Sequence, residues 1–310
     1  MWTQGVNVII QILVLLLLPP LLIGIINRIK AWFAGRKGPP LLQPYYDLMK
    51  LFRKGMVIST TTTWIFRFAP PAVLICTFLA GLLVPFGAFA APLHFTGDLI
   101  LFVYLFGLAR FLITLAALDT GSSFEGMGAA REVTFAVLSE AAVLLGLLVL
   151  VRLSGSLSLT PMLLSPLAHR PEAPVLLAAA GFFIVLLAEN ARIPVDDPNT
   201  HLELTMIHEV MVLDNSGPIL GLINYGSAMK LLILSTVTLH FLVPFQALWA
   251  APIGVLQALN WIAFILELTV MAGLIGVVES IMARLQMRHV PTLLAAASLL
   301  CGFGFILMLR

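Results

Sequence analysis

Eight long apolar runs decide what this chain can fold into. They cover residues 6–26, 68–90, 99–118, 133–151, 174–188, 227–247, 253–278 and 291–309. Most approach the roughly 20 apolar residues that a helix needs to cross a bilayer. In hydrocarbon every backbone N–H and C=O must be satisfied within its own segment, so runs of this kind are helices. The chain is 60% hydrophobic and 10% charged, with a mean hydropathy of +1.06. A soluble domain carries roughly 25% charged residues, so too little polar surface exists here for a water-soluble fold. The expectation is one all-α integral membrane domain over residues 1–310, with about eight transmembrane helices. The fifth run is short and is expected to continue toward Ile193. The first run has no basic segment before it and no small-residue cleavage site, so it reads as a span and not as a signal peptide.

Orientation follows from lysine and arginine. Of the 17 basic residues, twelve fall in the odd-numbered loops between runs and three on the opposite side. Arg110 and Lys230 lie inside runs. The positive-inside rule places the odd loops in the cytoplasm and both termini outside. The third loop adds Asp119, Glu125 and Glu132; the fifth adds Glu189, Asp196, Asp197, Glu203, Glu209 and Asp214. A long face of mixed charge on one side is expected to dock a soluble partner.

Ionisable side chains inside a span are costly and mark functional sites by default. Four stand out: Arg110, Glu140, Lys230 and Glu267, with Asp98 and Glu279 at span ends. A carboxylate taken from water resists ionisation unless a cation lies close. Glu140, two turns into its run, therefore reads either as a proton carrier or as half of a packing ion pair with Arg110 or Lys230. Arg131 and Glu140 are nine residues apart and occupy different helix faces, so they are expected to act in sequence along a path.

In the fifth loop His201, Glu203, His208 and Glu209 raise the question of a metal. Their spacing is not that of a helical His-x-x-x-His site, and a third ligand is missing. Partner contact or proton uptake suits them better. Cys76 and Cys301 are two isolated cysteines in apolar runs, which fits buried hydrophobes and neither a disulfide framework nor a cluster site. No Gly-rich phosphate loop follows a strand pattern, and nothing points to nucleic acid. In the first loop Leu48, Leu51 and Phe52 share one face while Lys50, Arg53 and Lys54 take others, the pattern of an amphipathic helix at an interface.

Several segments together resemble the complex I subunit 1 (NADH dehydrogenase subunit 1) family. Arg36-Lys-Gly-Pro-Pro-Leu-Leu-Gln43, followed by Asp47 and Lys50-Leu51, resembles its first cytoplasmic loop. Leu118-Asp-Thr-Gly-Ser-Ser-Phe and Gly128-Ala-Ala-Arg-Glu resemble the second, and Ala188-Glu-Asn-Ala-Arg-Ile-Pro-Val-Asp196 the third. Within that family the chain is similar to the formate hydrogenlyase and hydrogenase-4 type membrane subunits, through Gly97-Asp-Leu-Ile, Ala109-Arg-Phe, Lys230 and Glu279-Ser-Ile-Met-Ala-Arg284.

The resemblance implies an anchoring and coupling subunit with no cofactor of its own. Its partners would be hydrogenase-like large and small subunits, iron–sulfur subunits carrying clusters and a nickel–iron site, and antiporter-like membrane subunits; a lipid or quinone would fit beside the first loop. It further implies a proton path through Asp119, Arg131, Glu140, Asp196, Glu203, Glu209, Asp214, Lys230, Glu267 and Glu279, and docking through Arg36, Lys37, Gln43, Asp47, Lys50 and Arg192. One departure matters. Where the family runs Glu-x-Glu-x-Glu after Pro-x-Asp, this chain has Asn199, His201 and Glu203. His201, Glu209 and Asp214 are the residues left to substitute for that acidic run.

Three readings result. The first is the coupling subunit of a hydrogenase or formate hydrogenlyase-like complex. The second is the quinone-site subunit of an NADH:quinone oxidoreductase-like complex, which the altered fifth loop and Lys230 argue against. The third is a stand-alone ion transporter, which predicts inverted repeats and paired broken helices; no repeat relates the halves of the sequence.

Overall fold

The computed structural model describes residues 2–164, 172–196, 206–243 and 255–309. Its helices are α1 (Trp2–Leu17), α2 (Pro19–Phe33), α3 (Gln43–Arg53), α4 (Trp64–Leu83), α5 (Asp98–Asp119), α6 (Ser123–Ser154), α7 (Leu159–Leu163), α8 (Glu172–Glu189), α9 (Gly217–Leu242), α10 (Val255–Ile281) and α11 (Val290–Met308), with 3₁₀ turns at Glu209–Val212 and Met287–His289. Among the described residues there is no β-strand beyond one isolated bridge between Phe86 and Phe89. Six helices are long and apolar enough to span a membrane unaided. The bent α1–α2 pair makes a seventh if it counts as one span, and Ala173–Glu189 is a shorter apolar helix. The chain is a multi-pass membrane protein.

Where boundaries differ from expectation, local chemistry gives the reason. The first run is broken at Leu18 by a 47° bend. Pro19 and Pro20 cannot donate to the preceding turn, so the ladder is interrupted there. The second run overreaches: α4 stops at Leu83 because Val84, ahead of Pro85, is pushed to an extended conformation. Residues 84–90 instead turn back onto α10, with Phe86 against Phe264 and Phe89 stacked on Trp261. The fourth run begins ten residues early, at Ser123, since nothing between Ser123 and Val133 breaks a helix. Glu125, Arg131 and Glu132 therefore belong to α6 and not to a loop. The fifth run ends at Glu189 and does not reach Ile193: Ala191 adopts a left-handed conformation with φ 51°. The sixth run starts at Gly217, with Pro218 in the first turn where its missing N–H costs nothing; its expected end at 247 lies outside the described residues.

α9 is the central helix. It packs against α2, α3, α4, α8 and α10, and most of its residues are buried. α4 pairs with α5, and α11 packs against both α6 and α8. Hydrocarbon tails are as apolar as leucine, so close packing and not water exclusion holds such helices together. The α8–α11 seam is built accordingly from small residues. A Cβ at Gly181 would sit 2.5 Å from Cys301 Sγ and 2.8 Å from the Ala297 carbonyl, and one at Gly304 would sit 2.8 Å from the Pro174 carbonyl. Cys301 and Cys76 are both buried free thiols. The helix expected in the first loop is α3. Its Leu51 and Phe52 approach Gly221 of α9, while Tyr46, Met49 and Phe52 retain exposed surface.

Candidate functional site: a charged cluster beneath a lateral cavity

α2, α3, α4, α5 and α9 enclose a cavity of about 360 Å³. Ile23, Leu48, Leu51, Val73 and Ile113 contribute apolar wall, and Arg110, Glu132, Glu189, His208 and Lys230 contribute charge. These charged groups arrive on four helices and one loop. Arg110 comes from α5, Glu132 and Glu140 from α6, Glu189 from the end of α8, Lys230 from α9, and His208 from the turn preceding Glu209–Val212.

Arg110 is the organising cation. Its Nε donates to Glu132 Oε1 at 3.0 Å, its Nη1 pairs with Glu140, and its Nη2 reaches both Glu189 oxygens at 2.5 and 2.6 Å. A guanidinium, planar with five donors fanned outward, can serve three carboxylates at once. Glu189 also accepts from Lys230 Nζ at 2.6 Å and from Ser139 Oγ at 2.6 Å. The side chains of Arg110, Glu132 and Glu189 are no more than 10% exposed, whereas that of Glu140 is 47% exposed. Buried charges persist only when paired and hydrogen-bonded, and this cluster meets that condition by pulling together helices distant in sequence.

A second group adjoins the first. Asp196 is fully buried; it accepts from Arg284 Nη2 at 3.0 Å and from the amides of Ile207 and His208 at 3.0 and 3.1 Å. Burial pushes the Asp196 carboxyl upward, but the His208 ring and these two amides more than reverse it, leaving it below the usual aspartate range. Glu279, also buried, pairs with Lys30 at 2.7 Å and Arg192 at 3.4 Å. His208 spans the groups: Nε2 lies 3.1 Å from Glu132 Oε2, and Nδ1 lies 3.8 Å from Asp196 Oδ2.

The sequence-derived residues separate on this geometry. Glu140, Lys230, Asp196 and Glu279 join the clusters. Glu209 lines the cavity. Arg131 donates to the Met206 carbonyl at 2.7 Å, holding the loop that carries His208. Asp119 stands apart: its carboxylate accepts from the Thr63 and Phe66 amides at the start of α4, at 2.7 and 3.3 Å, a helix-capping position. Asp214 is exposed, and its amide donates to Glu125 Oε1 at 2.8 Å. Glu267 lies half-buried on α10, with one oxygen buried and lacking a hydrogen-bond partner among the described residues. Glu203 and His201 lie outside the described residues. Arg36, Lys37, Asp47 and Lys50 are exposed, and Gln43 donates to Asp47 at 2.8 Å. Arg192, grouped with them as a docking residue, is buried at 7% exposure, where it adds a second cation at 3.4 Å to the Glu279 carboxylate that Lys30 already pairs.

Three central members escape a reading of the sequence: Glu189, Glu132 and His208 as a cluster residue. Glu189 closes an apolar run, where its charge reads as the start of a loop. Glu132 and Ser139 are seven residues apart, hence on one helix face; that spacing is the available signal. Among the described residues no three His, Cys, Asp or Glu side chains converge as a metal site.

A sequence model described as NADH dehydrogenase matches residues 6–309. Formate hydrogenlyase subunit 4 of Escherichia coli is 32% identical, over 96% of this chain and 94% of its own length. Hydrogenase-4 component C of the same organism is also 32% identical, over 91% and 90%. An NADH-quinone oxidoreductase subunit of Geobacter metallireducens is 29% identical over 73% of each chain. In fold the chain is similar to one in the structure of the membrane-bound sulfane sulfur reductase, an archaeal respiratory membrane complex: the TM-score is 0.83 at 21% identity, covering 99% of both chains.

Proposed function

This chain belongs to the NADH dehydrogenase family, and on that premise we propose that it is the membrane subunit of a hydrogenase- or formate hydrogenlyase-like respiratory complex, anchoring the electron-transfer arm and coupling it to proton translocation. The observation that carries this reading is the near-continuous run of buried charge from the cavity floor through Arg110 and Glu189 to Asp196 and Glu279. Structural ion pairs of this number are expensive inside a membrane, and a chain with only 10% charged residues concentrates them in one place. Here charge arriving at the cavity repartitions contacts on α5, α6, α8 and α9 together.

The exposed basic loop at Arg36 and Lys37, with Lys50 on α3, forms the docking face, and α3 lies along the cytoplasmic membrane surface. Both termini lie outside a prokaryotic cytoplasmic membrane. Hydrogenase-like large and small subunits, iron–sulfur subunits with their clusters and nickel–iron site, and antiporter-like membrane subunits are the partners; among the described residues no three His, Cys, Asp or Glu side chains converge as a metal site. A second reading, a quinone-site subunit, draws on the cavity itself: apolar walls with a charged floor suit an isoprenoid quinone or a lipid tail. The test is purification of the tagged protein in mild detergent, with mass spectrometry and metal analysis of what accompanies it. Hydrogenase-like subunits with iron and nickel support the first reading. Iron without nickel, with bound quinone, favours the second, and a stable metal-free protein without partners refutes both.

A further inference from the structure

Of the four ionisable side chains inside the spans, Glu267 alone lacks a counter-charge among the described residues. It stands thirteenth in the 27 residues of α10 (Val255–Ile281), about 18 Å from one end and about 21 Å from the other at 1.5 Å per residue. That is the middle of a helix long and apolar enough to cross the membrane. Snorkelling serves long lysine and arginine side chains near helix ends, not a glutamate at this depth. Its Oε2 is buried and has no hydrogen-bond partner among the described residues. Residues 244–254, which precede α10, contain no lysine, arginine or histidine.

Asn260 repeats the pattern on the same helix. It lies seven residues before Glu267, hence on the same face two turns away, about 10.5 Å along the axis. Its Oδ1 is likewise buried without a hydrogen-bond partner among the described residues. Beside these two acceptors runs an apolar stripe of Leu259, Leu266, Val270 and Leu274, which are 42, 61, 64 and 45% exposed. Lipid completes only half of such a face. Hydrocarbon tails cover the stripe but offer no donor, and an acceptor left facing them is costly. A helix packed against it supplies both close contact and interhelical hydrogen bonds.

We propose that this face of α10 binds a transmembrane helix of another subunit, which presents a lysine or arginine to Glu267 and a hydrogen-bond donor to Asn260. This rests on the reading of the chain as one membrane subunit of a larger complex. The occupant brings a cation because a carboxylate at mid-membrane persists as a charge only when paired. At the shallow crossing angle usual between transmembrane helices, its two donors stand about seven residues apart, matching the two acceptors. A second copy of this chain does not fit. Its two basic residues inside spans, Arg110 and Lys230, are both held by Glu189. Two copies joined α10 to α10 by a two-fold axis would also set Glu267 against Glu267 at one depth, like charge on like. Within the chain, acids turn toward Arg110 and Lys230; at α10 the acid is in place and the cation comes from outside.

The test is photocrosslinking of the intact complex in its own membrane. p-Benzoylphenylalanine replaces Leu266 or Val270, both exposed beside Glu267, and adducts formed on irradiation are identified by peptide mass spectrometry. The expected adduct joins α10 to a transmembrane segment of another subunit that carries a lysine or arginine at the depth of Glu267 and a polar donor about seven residues away. Glu267→Gln then retains that subunit less well in mild detergent, by roughly tenfold or more. Glu267→Lys loses it too and regains it when the partner's cation is exchanged for glutamate, which separates a lost contact from a misfolded chain. Adducts with phospholipid alone, with a second copy of this chain, or with a segment that has no basic residue at that depth each overturn the proposal. So does unchanged retention in Glu267→Gln, or no recovery in the exchanged pair. A complex recovered with iron and nickel but only lipid adducts removes this proposal and leaves the hydrogenase-like reading standing. The expected adduct in a complex without hydrogenase-like subunits does the reverse.

Discussion

Replacing Glu189 by glutamine removes one negative charge from the centre of the cluster while keeping its shape. The side chain is 8% exposed and accepts from Arg110, Lys230 and Ser139. A glutamine has one acceptor oxygen in place of two, and its amide nitrogen would face a cation. Hydrogen bonds to charged groups contribute about 1.5–3 kcal/mol each, and removing one partner of a buried pair costs about 3–5 kcal/mol. Arg110 keeps Glu132 and Glu140, but among the described residues Lys230 keeps only its approach to the Phe106 ring at 6.0 Å. The expected destabilisation is about 3–5 kcal/mol, or roughly two to three and a half decades in the unfolding equilibrium. The assay is denaturation of the purified protein in mixed micelles. The double variant Glu189→Gln/Lys230→Met removes the stranded cation as well, and its cost should fall about 1–3 kcal/mol short of the sum of the singles. A Glu189→Gln cost below about 1 kcal/mol, or strict additivity, would refute the reasoning, for either result means that the cluster is solvated.

Glu140→Gln, at the exposed edge of the cluster, should leave assembly intact and weaken proton translocation in vesicles; normal pumping would remove Glu140 from the path. Reversing charge at Arg36 and Lys37, both exposed, should detach the soluble arm in a pull-down without altering the membrane domain's thermal midpoint. Because the His208 pKa is raised in the folded protein, its contribution to stability is complete below about pH 6.5 and is lost as pH rises through the folded value; a pH series of thermal midpoints should show this decline in the wild type and not in His208→Gln. Gly181→Val should destabilise by about 1–3 kcal/mol in mixed-micelle denaturation, since even its Cβ would meet the Ala297 carbonyl at 2.8 Å, and the resistance of that backbone to moving is what the measurement reports.

The spans are legible because hydrocarbon imposes one rule on every backbone group, and apolar length alone expresses it. Their ends are less so. A hydropathy window does not register that Pro85 forces Val84 out of the helix, or that the apolar residues after it fold back as a reverse turn onto Trp261 and Phe264. It also ends the fourth run where charge begins, although Glu125, Arg131 and Glu132 cost a helix nothing once their side chains are satisfied. The same blindness hides the site: assigning residues to loops by their charge takes charge for exposure.

That inference runs backwards in this protein. Arg192 and Glu189 flank the turn at Asn190-Ala191, and both point inward, to Glu279 and to Arg110. The reversal has a physical source. Arg110 and Lys230 sit mid-helix on α5 and α9, where neither the hydrocarbon nor their own helix offers a counter-charge. The acids that meet them come from the body of α6, Glu132 and Glu140, and from the end of α8, Glu189, so a residue at a helix end turns inward to meet span residues. A lysine or arginine deep in a span is therefore a statement about acids elsewhere. Two such cations here require at least two inward acids: Glu189 contacts both cations, and Glu132 and Glu140 also pair with Arg110. That is one carboxylate more than the two cations require, so either Glu132 or Glu140 can change protonation without leaving Arg110 or Lys230 unpaired. On the proposed coupling reading, that is where a protonation step has freedom to act.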